Sequence, residues 1–236
     1  ADNENVHGAT YSEIIKLSFD NPDEVVRDIL EYKAARNRLG VVEKTLNEAL
    51  YLSRQYAAGL IPMSDELYRD VVMKTTIALL YLERVQFIAS FAVTFTICET
   101  GLYQPIGKAV QKICQDELEI HAEFGKEVIT YEMKTEKGKW AIESLKPWIK
   151  ELRSEIIQSE NEFIDSIHED GHNLPGATPE MFKQWVLFND KDLVRFLNIE
   201  VDTVFPKYNP MPLLETWIDQ GLTQPAPQEQ DIGQYK

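Results

Sequence analysis

Apolar residues recur along this chain three and four positions apart, in runs broken by short polar, glycine- or proline-bearing stretches. That spacing predicts helices. Asn21-Pro22-Asp23-Glu24 sets a capping side chain, a proline and two acidic first-turn residues in the order a helix start favours. The helix they open is expected to reach Leu39, where Gly40 can take a left-handed cap. A second is expected from Val41 to Ala58, stopping near Gly59 and Pro62, and Ser64-Asp65-Glu66 caps a third that continues through Glu99 until Gly101 and Pro105. Two long ones follow, Ile106 to Met133 and Lys139 to Asp170, and Thr178-Pro179-Glu180 starts a last one reaching Ile199.

Strand signals are weak, since Asp170-Gly171 lies between no alternating runs and reads better as a helix end. The expectation is an all-α fold with helices long enough for an up-down bundle. Beyond Phe205 the texture changes, with Pro206, Pro210, Pro212, Pro225 and Pro227. The stretch 220–236 has no periodic apolar face and is expected to be a flexible C-terminal tail, leaving 1–219 as the helical domain.

Composition narrows the partners. At 236 residues the chain fits one large domain, and 24 Lys+Arg against 39 Asp+Glu give a net charge of −15. Such a chain repels phosphates and anionic lipid surfaces, so neither nucleic acid nor membrane is expected as a partner. Its two cysteines, Cys98 and Cys114, cannot build a disulfide framework and read as buried thiols of a reducing compartment. The opening ADNENVHG has no basic n-region or apolar h-region, and the most apolar stretch, Ile88 to Cys98, is too short to cross a bilayer. A cytoplasmic location is expected.

Ionisable residues interrupt the apolar helical pattern in three places. Glu4 and His7 are three apart, Glu83 sits in the strongly apolar run from Ile77 to Ala89, and Glu117 and His121 are four apart. Each pair shares a helix face. Hard metal ions take carboxylate oxygens that can bridge two of them, with an imidazole completing each, and ferritin-like bundles supply such sets from facing helices. The same residues also fit plain alternatives. A lone Glu-x-x-His arises by chance on exposed helices, Glu83 could be solvated or salt-bridged to Arg84 or a neighbouring helix, and Asp116-Glu117-Leu118-Glu119 fits an acidic solvent face. His168 and His172, beside a turn, read as surface residues.

Three motifs stand out: Glu4-Asn5-Val6-His7 with Tyr11, Leu82-Glu83-Arg84-Val85-Gln86-Phe87 with Ser90-Phe91-Ala92, and Asp116-Glu117 with His121. In these the chain resembles the small subunits of class I ribonucleotide reductases. Asn209-Pro210-Met211-Pro212 with Thr216-Trp217, then Ala226-Pro227-Gln228-Glu229 with Tyr235, resemble the family's C-terminal region. The resemblance implies a ferritin-like bundle with a dinuclear iron or manganese centre that oxidises a nearby tyrosine. By residue, it implies Glu4, His7, Glu83, Glu117 and His121 as metal ligands and Tyr11 as the radical-bearing tyrosine. Asp116 would be the carboxylate behind a ligand histidine, and Phe87, Phe91 and Ile113 the apolar radical pocket. Tyr235 would relay the radical to a large subunit that reduces ribonucleotides, with Glu229 supporting it, and the subunit is expected to be a homodimer.

The chain departs from that pattern at three points. The second metal motif carries one extra residue between Glu117 and His121, which a local π-bulge could absorb. The family's first carboxylate ligand and the tryptophan of its radical route lie before the first Glu-x-x-His motif, which here begins at Glu4, so the bundle is expected to be N-terminally incomplete. The chain also stops one residue after Tyr235. A separate N-terminal fragment supplying the carboxylate is therefore an expected partner. Two other functions compete: a different ferritin-like dimetal oxidase or oxygenase, and a metal-free helical interaction module.

Overall fold

The computed structural model describes residues 2–219, and no strand occurs among them. The fold is an all-α, ferritin-like helical bundle. Its helices are α1 (Asp2–Ser18), α2 (Pro22–Glu31), α3 (Lys33–Ala57), α4 (Asp65–Cys98), α5 (104–132), α6 (Glu136–Ile167), α7 (Pro179–Phe196) and the short α8 (Glu215–Ile218). The calls at Tyr235 and Glu229, and the tail over 220–236, lie outside the described residues.

The helix starts follow the capping chemistry. The hydroxyl of Ser64 accepts from the amide of Leu67 at 3.0 Å, that of Thr135 from Gly138 at 2.9 Å and that of Thr178 from Met181 at 3.3 Å. Each such cap is worth about 1 kcal/mol. Gly59, at φ 71°, closes α3 with the Leu60 amide reaching back to the Gln55 carbonyl at 3.0 Å. Gly138 is required by closeness: a β-carbon there would lie 2.0 Å from the Glu132 carbonyl oxygen.

Two boundary expectations are corrected. Gly40 does not end a helix, because its backbone stays right-handed and α3 runs through it. The break falls at Tyr32, whose extended backbone (φ −67°, ψ 110°) separates α2 from α3. Asn21 does not cap α2 with its side chain and instead donates to Glu24 at 2.8 Å. His168 is also not a plain surface residue: it is half-buried, its Nδ1 lies 2.7 Å from the Ile164 carbonyl and its ring meets Phe182.

The core forms where α3, α4, α5, α6 and α7 pack together. From α6, Ile142, Ile149 and Ile156 recur every seventh residue, two helical turns apart, and are sealed from solvent. Ile77, Ile88 and Phe95 face them from α4, and Phe182, Val186 and Leu193 from α7. Each of these side chains contributes roughly 1.5–3 kcal/mol by burial. By length and composition α4 could cross a membrane, contrary to the expectation drawn from Ile88 to Cys98 alone, but 56% of its apolar window is buried inside the bundle. Cys98 and Cys114 are both buried and unpaired.

Wider turns interrupt two of the rods. In α4, Arg69–Met73 and Leu82–Gln86 are π-helical, and in α5 so is Asp116–His121. The last absorbs the extra residue of the second motif. The Ala122 amide bonds the Glu117 carbonyl five residues back, so a residue four along completes nearly a full turn.

Candidate metal centre

Three helices bring the candidate ligands together. Among the described side chains of α1, His7 is the buried one. Its Nδ1 lies 3.0 Å from Glu117 Oε1 and its Nε2 lies 3.0 Å from Asp116 Oδ2. From α5, His121 Nδ1 lies 2.6 Å from Glu117 Oε2 and 3.2 Å from Glu4 Oε1. Glu117 thus spans the two imidazoles, one oxygen to each. The oxygens of Glu4 and Glu117 and a ring nitrogen of His121 all lie within 4.8 Å of one another.

Glu83 approaches from the π-turn of α4 to within hydrogen-bonding reach of Glu117, a contact two carboxyl groups can make only with a proton on one of them. Burial is the largest force on Glu83, and the charges of Glu117 and Glu4 add to it, pushing its carboxyl up to about 10. Its Oε2 is buried without a hydrogen bond, and His7 Nδ1, although 3.0 Å from Glu117 Oε1, makes no hydrogen bond either. Carboxylates crowded around unpartnered buried donor atoms repel one another unless a proton or a cation lies between them. Oxygen and imidazole donors in this mixture suit iron or manganese, so the residues present fit a metal pair. Asp116 completes the pattern, since ligating histidines commonly donate their outer nitrogen to a carboxylate.

Tyr11 lies one turn beyond His7 on α1. It is 42% exposed, which departs from the sheltered setting expected of a radical-bearing phenol. Its hydroxyl end is nonetheless desolvated. Burial, then the charges of Cys114 and Glu117, raise the phenol to about 12, with Arg38 opposing them. Phe91 and Ile113 are buried and Phe87 is half-buried. Phe87, Phe91 and Phe95 follow one another along α4 with ring centroids 6.1 and 6.4 Å apart, and Trp217 stacks on Phe95 at 4.9 Å. Glu119 stays out of the cluster, and Arg84 pairs with Asp192 at 3.7 Å rather than with Glu83.

A cleft of about 490 Å³ opens over the cluster, with Glu4, Glu83 and His121 at its polar side and Leu79, Phe87 and Phe124 among its apolar walls. Sequence reasoning missed a buried set beneath it: Arg38, Gln86 and Glu160. No motif marks Arg38 or Glu160, and the motif that contains Gln86 does not show its pairing with Arg38, because these partners lie 48 and 122 positions apart.

Comparison with known proteins identifies the family. The family model described as ribonucleotide reductase, small chain, matches residues 1–210. The chain is 24% identical to the ribonucleoside-diphosphate reductase subunit beta of Buchnera aphidicola subsp. Schizaphis graminum, over 98% of this chain and 64% of that protein. It is 23% identical to the ribonucleoside-diphosphate reductase 1 subunit beta of Escherichia coli O157:H7, with the same shares covered. With the probable ribonucleoside-diphosphate reductase small subunit 048L of Invertebrate iridescent virus 3 it shares 24% identity, over 94% of this chain and 57% of that one. It therefore spans just under two thirds of the length of these bacterial relatives. A match over residues 1–210, joined to this bundle, places the chain in the ribonucleotide reductase small-chain family.

Proposed function

We propose that this chain forms the metal-holding part of a ribonucleotide reductase small subunit. Glu4, His7, Glu83, Glu117 and His121 would hold a pair of iron or manganese ions. When bound, such a pair supplies oxygen-dependent one-electron oxidising power beside Tyr11. Asp116 holds His7 by its outer nitrogen and keeps Nδ1 turned inward. Tyr11 would carry the stored radical, in the setting of Phe87, Phe91 and Ile113. Tyr235, supported by Glu229, would pass it to the large subunit, where ribonucleotides are reduced to deoxyribonucleotides. A homodimer in the cytoplasm goes with this reading.

The observation that carries the proposal is the span of Glu117 between His7 and His121 at 3.0 and 2.6 Å, above a buried Glu83 oxygen that has no partner. The exposure of Glu4 and Tyr11 supports a further element. A separate N-terminal fragment would bring the family's first carboxylate ligand and cover α1, whose outer side borders an apolar groove lined by Val6, Ala9, Leu17 and Ile106. The test is metal content and the electron paramagnetic resonance spectrum after iron or manganese and oxygen loading, with and without that fragment. A tyrosyl signal and about two metals per chain, stronger with the fragment, are expected. No bound metal under either condition would leave a metal-free helical module as the better description.

A further inference from the structure

Arg38 lies 45 positions before Glu83 in sequence and touches none of the candidate ligands, yet it holds the turn that presents one of them. Its side chain is buried between three helices. Nε donates to Glu160 Oε1 of α6 at 2.5 Å, Nη1 donates to Ser90 Oγ of α4 at 2.6 Å, and Nη2 donates to the backbone carbonyl of Gln86. Gln86 returns the contact by donating its side-chain amide to the backbone carbonyl of Arg38. The Phe163 ring lies over the guanidinium at 4.4 Å. Gln86 is the last residue of the π-turn Leu82–Gln86, and Glu83 is its second.

We propose that Arg38 is a positioning residue for Glu83: through its reciprocal clasp with Gln86 it fixes the π-turn in α4 and so aims the Glu83 carboxyl at Glu117 and His121. The proposal rests on the reading of this cluster as a metal site. A π-turn is an uncommon conformation that persists where surrounding contacts over-determine it. A planar, five-donor guanidinium can serve a carboxylate, a hydroxyl and a carbonyl at once, which no other side chain does. A lysine ammonium keeps the charge opposite Glu160 but cannot reach all three acceptors from one point. Arg38 is also felt at Tyr11, where it opposes the rise of the phenol's pKa, so the same charge serves both sides of the site.

The test uses the full 236-residue chain with Arg38→Lys and, as a second variant that leaves the buried ion pair intact, Gln86→Leu. Manganese binding is followed by the loss of the free Mn²⁺ resonance signal, and amide hydrogen exchange is measured over residues 82–91 without metal. Both variants are expected to bind Mn²⁺ at least ~10-fold more weakly, the scale of losing an outer partner of a metal ligand. Faster exchange should be confined to 82–91. Unchanged Mn²⁺ affinity in either folded variant overturns the proposal, and so does exchange accelerated evenly across the bundle, which marks a merely structural arginine. Glu83→Gln run in parallel separates the two ideas. If it weakens binding while Arg38→Lys does not, the clasp fails and the site stands. If the unaltered chain takes up no Mn²⁺, the site reading falls and carries this proposal with it.

Discussion

His7 and Asp116 meet across 109 positions of sequence, Nε2 to Oδ2 at 3.0 Å, and this contact is much of what seats α1 on the bundle. Among the described side chains of α1 only His7 is buried, with Thr10, Ile14 and Ile15 partly so, which leaves little apolar burial to hold the helix in place. The attachment is polar, and it passes through a residue of the candidate centre.

Asp116→Asn tests that relationship. The amide keeps the shape but loses the charge that holds the His7 ring, so metal affinity is expected to fall by roughly 10- to 100-fold. Titration with Mn²⁺ measures it directly. Because the same contact seats α1, amide exchange over residues 3–18 should quicken in the variant while the core of α6 stays protected. Equal affinity and equal exchange would show that Asp116 is an ordinary half-exposed acid.

Glu83 gives the metal-free chain a predictable response to pH. Its carboxyl is pushed up from 4.5 to about 10, chiefly by burial and then by Glu117 and Glu4. Between those values the folded chain holds a proton that the unfolded chain has released. Stability therefore falls as pH rises through the window, the opposite of a salt-bridged acid. Glu83→Gln removes the titration, so the metal-free variant should be more stable at pH 8 by about 1–3 kcal/mol, the scale of a buried group relieved of desolvation. Urea unfolding at pH 5 and pH 8 checks it: the advantage should shrink at the lower pH, while Mn²⁺ binding is lost throughout.

How far the sequence foretold this arrangement depends on whether a feature is local. Ser64 and Thr178 announce helix starts because a capping hydroxyl acts within three residues of itself. The widened turn at Asp116–His121 was legible as one way to absorb the odd Glu117-to-His121 spacing. The π-turn at Leu82–Gln86 left no such mark, since what grips it is an arginine from another helix. Gly40 misled because glycine permits a left-handed cap without requiring one, and the packing of α3 against α6 carries the helix past it. The exposure of Tyr11 was also hidden, because shelter depends on neighbours that spacing does not name.

Tyr11→Phe should separate the radical from the metal. Losing the desolvated hydroxyl should alter stability by only about 1 kcal/mol. Metal content should be unchanged and the tyrosyl resonance signal absent. A signal that persists would assign the radical to another of the ten tyrosines. Another ferritin-like oxidase using the same ligands would show no dependence on this residue at all.

Away from the centre, Arg153 and Asp190 carry a prediction that no functional reading touches. Asp190 is fully buried, and Arg153 is 8% exposed. Nε and Nη2 reach the same carboxylate oxygen at 2.8 and 2.6 Å. Arg153 also donates to Thr203 at 3.1 Å and lies over the Phe205 ring, tying the irregular segment after α7 to the bundle. Asp190→Ala strands a guanidinium that is only 8% exposed, and breaking a buried pair this way costs about 3–5 kcal/mol. For a chain of this size that lowers the melting temperature by on the order of 10 °C. Replacing both, as Arg153→Met with Asp190→Ala, removes the stranded charge and should recover most of the loss, because an apolar pair needs no compensation. A double variant as unstable as the single one would mean that the cost came from the cavity or from the released 203–205 segment, and that the charge itself was not the cause.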